Sequence, residues 1–227
     1  MILLPSGSFK MPALLDKTPR KIPKFYIDQH PVTNVEYLEF VRSYPEWRKS
    51  KVKKIFADNN YLEYWVGDLQ FGDAAIKTSP VVRVSWYAAR AYCDSQGKRL
   101  ATIDEWEYAA QLPFKDKSDL KSVILEWYGK SADWPLPSVM KNVPNSKDVY
   151  DLHGLIWEWV EDFNSSMVTG ESRADSALDR NLFCGGGAAS AADPADYAAF
   201  MRYAFRSSLQ AKYTVRNLGF RCVKDKE

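Results

Sequence analysis

The side chains that could carry redox or metal chemistry in this 227-residue sequence are few, namely three cysteines and two histidines. Cys184 stands immediately before a run of glycines, which leaves room for a ligand to approach its thiol. A reactive thiol and a buried, inert thiol are the two alternatives at that position. His30 precedes a proline and His153 lies in the turn DLHG, and neither has another histidine at the spacing of a transition-metal site. We therefore expect structural or solvent-facing roles for both histidines.

The other two cysteines lie far apart, Cys93 in a predicted helix and Cys222 in the last predicted strand. A bond between them would tie the end of the chain to its middle. In the loop-entropy model it would stabilise the fold by about 4 to 5 kcal/mol. Pairing of any two cysteines leaves one thiol over.

An acidic segment in the second half of the chain is a candidate site for a hard cation. Asp151, Glu158 and two backbone carbonyls between them could form the oxygen cage that Ca²⁺ prefers. The alternative is that the carboxylates only cap and solvate a tryptophan-rich turn, and the local sequence by itself favours this alternative. The acidic residues of the segment are Asp148, Asp151, Glu158, Glu161 and Asp162.

A basic run beside Trp47 could contact phosphates. The chain as a whole has 31 basic and 29 acidic residues, a formal net charge of +2, which gives no reason to expect a nucleic-acid partner. A solvated loop is therefore the favoured interpretation of the run. No serine-hydrolase, phosphate-loop, dinucleotide or CxxC motif occurs. The basic run consists of Arg48, Lys49, Lys51, Lys53 and Lys54.

No membrane span is predicted, because no stretch of about 18 apolar residues occurs in the sequence. The N-terminal residues MILLPSGSFK lack the basic region and apolar core of a signal peptide. Two interpretations of the compartment stay open: a cytoplasmic protein, and an exported protein whose leader is absent from this chain.

Short regular elements are predicted to position these side chains. The segments 22–28 and 81–85 and the terminal 217–223 are rich in β-formers and are expected to be strands. Helices are expected to begin after three polar caps, and Gly97 is expected to end the second helix. The caps are Thr33 and Thr102, each with a glutamate three residues later, and Ser85.

Long segments with little pattern separate these elements, at 45–79, 113–150 and 163–199. Loops of this length fit a globular protein only if large side chains anchor them. Aromatic residues make up 14% and hydrophobic residues 46% of the sequence, enough for one compact domain over 1–227. The aromatic residues expected to anchor the loops are Tyr61, Tyr64, Trp65, Trp127, Tyr128 and Trp134.

Five motifs in order resemble the formylglycine-generating enzyme family, also called the sulfatase-modifying factor family. The resemblance extends from FYIDQHPVTNVEYLEFV near the start to NLGFRC near the end. Its most specific part is PVVRVSWYAARAYCDSQGKRLATIDEWEYAA. YDLHGLIWEWVEDF resembles the family's GNVWEW segment, and CGGG resembles its RGGSW segment.

The resemblance implies an α+β fold that is irregular, loop-rich and C-type-lectin-like. It also implies a disulfide between Cys93 and Cys222. The family's second calcium site falls on four positions here, which reverses the preference drawn from the local sequence alone. Leu155 replaces the asparagine of GNVWEW, and the segment of the other calcium site is shortened, so at most one calcium is expected. Its ligands would be Asp151, Glu158 and the carbonyls of Gly154 and Ile156.

Enzymes of this family oxidise a substrate cysteine to formylglycine with copper(I) held by two cysteines, since soft thiolates bind Cu(I). The positions that match those cysteines here are Ala198 and Tyr203. The resemblance therefore argues against a copper cofactor and against formylglycine generation by the known mechanism. The iron-dependent branch uses a histidine triad in a separate domain, and two isolated histidines cannot supply that triad.

We therefore expect a catalytically divergent member of the family, a pseudoenzyme that acts as an accessory, maturation or binding factor for a protein or peptide. Divergent relatives occur beside nitrite reductases and in siderophore pathways, so the resemblance points to an extracytoplasmic redox pathway, with a periplasmic location. The partner groove is expected to be lined by Cys184, Arg202, Tyr203, Arg206 and Ser207. Arg206 could equally be an arginine that staples the core.

Two other functions are compatible with the sequence. One is an oxidase with a metal or thiol centre rebuilt around Cys184, with Met201 or His153 as helpers. The other is a lectin-like module that binds a glycan or another small ligand through its aromatic loops.

Overall fold

The fold is α+β, with short strands and helices joined by long loops. The structure is a computed structural model that describes residues 1–10, 18–130, 134–164 and 194–226, and for 75 and 194–200 it describes only the backbone. Among the described residues no helix is long and apolar enough to cross a membrane.

A four-stranded antiparallel sheet brings the two ends of the chain together. Its strand order is β1-β4-β8-β5, so the C-terminal strand lies between two earlier ones. The side chains of Phe25 and Ile27 on β4 point into the core, as the alternation of the sequence predicts. The four strands are β1 (Ile2–Leu4), β4 (Phe25–Ile27), β5 (Arg99–Leu100) and β8 (Cys222–Asp225).

Two smaller sheets contain the remaining strands of the residues that the structure describes. One is an antiparallel pair of β2 (Gly7–Phe9) and β3 (Arg20–Ile22), and the other is a parallel pair of β6 (Trp157–Glu158) and β7 (Leu218–Gly219). The parallel pair joins two of the family-like motifs, WEW and GFRC. A side chain at Gly219 would collide with the carbonyl oxygen of Val81, so only glycine fits there.

The three predicted helix starts are confirmed. Thr33 and Thr102 form complete capping boxes, and the Ser85 hydroxyl accepts a hydrogen bond from the Ala88 N–H. Gly97, with a φ of +62°, follows the end of the second helix as predicted. Among the described residues the α-helices are α1 (Asn34–Ser43), α2 (Trp86–Ser95), α3 (Ile103–Ala110), α4 (Leu120–Gly129) and α5 (Pro194–Ser208).

Three predictions about the elements need correction. The segment 81–85 is not a strand, because Arg83 has a φ of +54° and the chain turns there. The segments 113–150 and 163–199 are not entirely irregular, since the first contains α4 and α5 begins in the second. The terminal segment 217–223 contains parts of two strands, in different sheets.

The disulfide between Cys93 and Cys222 is present, with a Cα–Cα distance of 5.6 Å. It joins α2 to β8 in the middle of the core, where both cysteines are fully buried. Trp65 and Tyr61, two of the predicted loop anchors, are also buried. Tyr64, Trp127 and Tyr128 are half-buried, and Trp134 is exposed at the surface while packing edge-on against Tyr64. Tyr61, Tyr64 and Trp65 therefore hold a loop against the core, whereas Trp127 and Tyr128 lie on the helix α4 and not on a loop as predicted.

Candidate functional site

A buried ion-pair cluster attaches α5 to the core. Glu107, on α3, has no exposed side-chain surface and accepts hydrogen bonds from two arginines of α5. The Arg202 Nε and Nη2 atoms donate to its two oxygens at 2.9 and 2.7 Å, and Arg206 Nη1 donates at 2.9 Å. Because positions four apart lie on one helix face, both arginines can reach the same carboxylate.

The surroundings of this cluster explain how three charges are held in the interior. Burial by itself would raise the pKa of Glu107, but the guanidinium groups of Arg202 and Arg206 overcome that effect and lower the pKa to about 2. The Trp106 ring lies 4.9 Å from the Arg206 Cζ atom and 5.8 Å from the Arg202 Cζ atom, a cation–π arrangement. The cluster therefore stays charged at neutral pH.

Trp106 connects this cluster to a second buried ion pair. Its indole N–H donates to Glu158 at 2.9 Å, and the same carboxylate accepts from Arg221 at 2.7 and 2.8 Å. Arg221 also donates to the carbonyl oxygen of Tyr150. The EWEYAA, WEW and GFRC segments thus meet through charged side chains inside the fold.

Three of the predicted calcium ligands lie on the loop before β6 and the fourth, Glu158, lies on β6 itself; both carboxylates have partners already. Asp151 is buried and accepts from the Met140 N–H at 2.6 Å and from the Asn142 amide at 2.9 Å, while burial raises its pKa. Glu158 faces Arg221 and Trp106, as described above. A φ of +57° at Asp151 and of +94° at Gly154 bends the loop between them. A calcium ion here would have to displace some of these contacts, and calcium at this loop stays a prediction.

His153, in the same loop, is buried and neutral. One ring nitrogen, Nε2, lies 3.1 Å from the carbonyl oxygen of Ala110, which it can meet only as an N–H donor. The other, Nδ1, is buried and has no hydrogen-bond partner among the residues that the structure describes. Burial and the positive charge of Arg202 lower the pKa of His153 to about 3.

The residues predicted for the partner groove do not share one surface. The side chains of Arg202 and Arg206 are only 5% and 6% exposed and face Glu107, which corrects their expected exposure in a groove. Arg206 has the core-stapling role that the sequence analysis left as an alternative. Tyr203 is half-buried, and Ser207 is exposed with its hydroxyl donating to the Ala204 carbonyl.

The structure gives little information on two further predicted positions, Cys184 and Ala198. Cys184 lies outside the described residues, and Ala198 is described only as a backbone position in α5. Met201, the suggested helper of a rebuilt centre, is 38% exposed on α5 and is not directed inward as Arg202 is. In the described part of the chain no three His, Cys, Asp or Glu side chains form a group that could hold a metal.

The sequence analysis missed Glu107 as the centre of the site. A glutamate in a helix is usually exposed, and nothing next to it in the sequence announces a partner. The spacing of Arg202 and Arg206 puts two cations on one helix face, but it does not identify the acid opposite them. A half-exposed aromatic cluster beside the arginines was missed too, in which Trp157 lies 4.7 Å from Phe205 and 5.2 Å from Tyr128.

Comparison of the chain with known proteins identifies a family whose members it resembles. A model of the sulfatase-modifying factor enzyme 1-like domain matches residues 1–226. The inactive C-alpha-formylglycine-generating enzyme 2 of Bos taurus is 30% identical over 212 residues, covering 70% of this chain and 69% of that protein. The formylglycine-generating enzyme of Bos taurus is 26% identical over 257 residues, covering 90% and 66%.

Other matches differ in length or show only the fold. The serine/threonine-protein kinase pkn1 of Chlamydia pneumoniae is 30% identical over 145 residues, which cover 61% of this chain and 23% of the kinase. The chain thus matches about a quarter of that relative's length. The structure of Treponema denticola variable protein 1 aligns with a TM-score of 0.58 at 16% identity, over 100% of this chain and 95% of that one.

These matches confirm the predicted α+β, loop-rich fold. The family includes relatives named as active and as inactive formylglycine-generating enzymes. The matched model spans all five motifs on which the resemblance rested. The chain therefore belongs to the sulfatase-modifying factor enzyme 1-like domain family.

Proposed function

We propose that this protein is a catalytically divergent member of its family that binds a protein or peptide partner and does not generate formylglycine by the copper mechanism. The observation that carries the proposal is the cysteine inventory. The sequence has three cysteines, and Cys93 and Cys222 are joined to each other, so one chain retains a single thiol, Cys184. A copper(I) site of two protein thiolates cannot be assembled from one thiol.

An assay for copper-dependent formylglycine formation tests this proposal directly. The full chain would be incubated with Cu(I), oxygen and a cysteine-containing peptide, and formylglycine would be sought by mass spectrometry. The expected result is no aldehyde and no oxygen uptake above that of the Cys184→Ser variant. Turnover that depends on Cys184 would overturn the proposal.

The partner is proposed to contact the exposed side of α5. Support comes from the way this helix is held: its arginines fix one side to Glu107, which leaves Met201 and Ser207 outward. A photo-crosslinking residue at Ser207 should give a discrete adduct in the native host, whereas the same residue at exposed Lys147 should not. Equal adducts at both positions, or none at Ser207, would count against α5.

An extracytoplasmic location is part of the proposal and rests on the disulfide. Disulfides persist in oxidising compartments and are rare in the cytoplasm. Fractionation of the native host should place the protein outside the cytoplasm with its Cys93–Cys222 bond formed. Recovery in the cytoplasm with three reduced thiols would contradict this proposal.

We also propose one structural calcium ion, bound by Asp151, Glu158 and the carbonyls of Gly154 and Ile156. Support comes from the donor set, which is all oxygen, as Ca²⁺ prefers, and lies on a bent loop and the strand β6 that follows it. Adding Ca²⁺ to chelator-treated protein should raise the melting temperature, and Asp151→Asn should weaken this effect. An unchanged melting temperature in millimolar Ca²⁺ would mean that Arg221 alone neutralises Glu158.

A rebuilt oxidase centre is a second candidate because of one observation. The His153 Nδ1 atom is buried and has no hydrogen-bond partner in the described part of the chain, and the low pKa of the ring keeps its lone pair available as a ligand. Quantifying copper and iron in the purified protein and in His153→Gln tests this candidate. Stoichiometric metal that is lost in the variant would support it, and a metal-free wild type would exclude it.

A further inference from the structure

Two neighbouring surface loops carry the most exposed apolar side chains among the residues that the structure describes. Val66 is 72% and Ile55 is 69% exposed, whereas the next large apolar residue, Met1, is 46% exposed. Leu69, on the same loop as Val66, is 37% exposed. We call the segments 48–56 and 65–70 the basic loop and the apolar turn. Isolated exposed apolar residues are ordinary, but their concentration on two adjoining loops is not.

Hydrogen bonds hold the two loops together. The Ser50 N–H and hydroxyl donate to the two oxygens of Asp68 at 2.8 and 2.7 Å. The Lys49 ammonium donates to the carbonyl oxygen of Glu63, just before the apolar turn, and to that of Trp65, the first residue of the turn. The apolar turn is itself closed by paired hydrogen bonds between Gly67 and Gln70. The basic loop and the apolar turn therefore form one surface.

The far end of the basic loop is also fixed in place. The Phe56 ring packs against Trp47 at 5.8 Å and against Tyr87 at 5.4 Å. The N–H groups of Phe56 and buried Ala57 both donate to the carbonyl oxygen of Lys53. A tight turn anchored in this way presents Lys53, Lys54 and Ile55 outward, so little conformational entropy is lost when a partner binds.

The cations on the basic loop divide into two groups. Arg48 and Lys49 donate to backbone carbonyls within the fold, so their side chains stabilise the conformation of the loop. Lys51, Lys53 and Lys54 are exposed, and none of them forms an ion pair with another described residue. Hydrogen bonds from Ser50, together with the nearby charges of Arg48 and Lys51, lower the pKa of Asp68. Lys51 is thus near the apolar turn.

We propose that the basic loop and the apolar turn together form an interaction surface for an acidic segment of another protein that carries aliphatic side chains. Lys51, Lys53 and Lys54, which form no ion pair within the described residues, complement acidic residues, and Ile55, Val66 and Leu69 offer apolar contacts on the same two loops. A single-stranded nucleic acid is less well matched, because it would need open aromatic faces for stacking. Here the ring of Phe56 already packs against the rings of Trp47 and Tyr87. The proposal does not depend on the assignment of α5 or on the absence of copper chemistry.

Fluorescence anisotropy with the full chain tests the proposal. The probes are a labelled 16-residue peptide of Asp, Glu and Leu, the same peptide with Leu replaced by Ser, and a 16-nucleotide oligothymidine. Two variants address the surface: K51E/K53E/K54E removes its charge, and I55S/V66S removes its apolar groups. K24E/K141E/K147E is the matched control, since it reverses three exposed lysines elsewhere.

The wild type should bind the Leu-containing peptide better than the Ser-containing peptide. Each surface variant should weaken binding by about tenfold, because exposed charge pairs and single aliphatic contacts each contribute modestly. The control should bind as the wild type does. Absence of saturable peptide binding at millimolar concentration would overturn the proposal. So would equal losses in the control, or tighter binding of oligothymidine that I55S/V66S leaves unchanged.

Discussion

His153 shows how burial decides the chemistry of a single residue. In solution its imidazole would titrate near pH 6.5, but in the fold its pKa is lowered to about 3. The ring packs edge-on against Trp106 and donates from Nε2 to the Ala110 carbonyl. The histidine that the sequence placed in a turn is therefore a neutral side chain, and its Nδ1 atom, without a partner among the described residues, is what would let it help a centre rebuilt around Cys184.

The stability of the protein should fall as pH decreases, in part because of His153. Below about pH 6.5 the unfolded chain binds a proton at this residue while the folded protein does not until about pH 3. The free energy of unfolding should therefore drop by up to about 1.4 kcal/mol per pH unit in this range. His153→Gln keeps a donor for the Ala110 carbonyl. Because the variant takes up one proton fewer on unfolding, its free energy of unfolding should depend less steeply on pH. Urea unfolding between pH 7.5 and 5 measures the slope, and identical slopes would contradict the neutral state of His153.

At the scale of elements, α5 depends on Glu107. Glu107→Gln removes the charge that two buried arginines share and should cost about 3 to 5 kcal/mol in the free energy of unfolding. The triple variant Glu107→Leu, Arg202→Met, Arg206→Leu should recover most of this loss, because an apolar cluster of similar volume needs no charge compensation. Denaturant unfolding of both proteins provides the comparison. A small loss in Glu107→Gln would show that solvent reaches the arginines.

Capping chemistry predicted some elements from the sequence and missed others. Thr33 and Thr102 could be identified because a glutamate three residues later completes a box that is local in sequence. Asp119 caps α4 through Ser122, but without a reciprocal glutamate this pattern is also common in turns. The strand predicted at 81–85 was wrong because the backbone at Arg83 adopts a left-handed conformation, which its neighbours in the sequence do not reveal.

The candidate site was predictable only where its residues are adjacent in sequence. The Asp151 to Glu158 loop could be proposed from one segment, but the pairing of Glu158 with Arg221 joins residues 63 positions apart. Likewise, Glu107 and Arg206 are separated by 99 positions. Contacts of this kind depend on the whole topology, so a single sequence contains no local signal for them.

At the scale of the whole molecule, the disulfide links the C-terminal strand to the middle of the chain. β8 lies between β4 and β5, and Cys222 at its start is bonded to Cys93 on α2, 129 residues earlier. The bond restricts the unfolded chain over more than half of its length. In a protein with so much irregular structure, this restriction replaces stability that long helices or wide sheets would otherwise supply.

Removal of the disulfide should therefore lower the free energy of unfolding. Cys93→Ala/Cys222→Ala should lose about 2 to 5 kcal/mol of unfolding free energy in urea. Cys184→Ser is the matched control and should unfold as the wild type does. Thiol titration of the denatured, unreduced proteins checks the pairing, with one reactive thiol expected in the wild type, none in Cys184→Ser and one in the double variant. Three thiols in the wild type, or equal stability of the double variant, would mean that the bond does not form in solution and would remove the main support for an oxidising compartment.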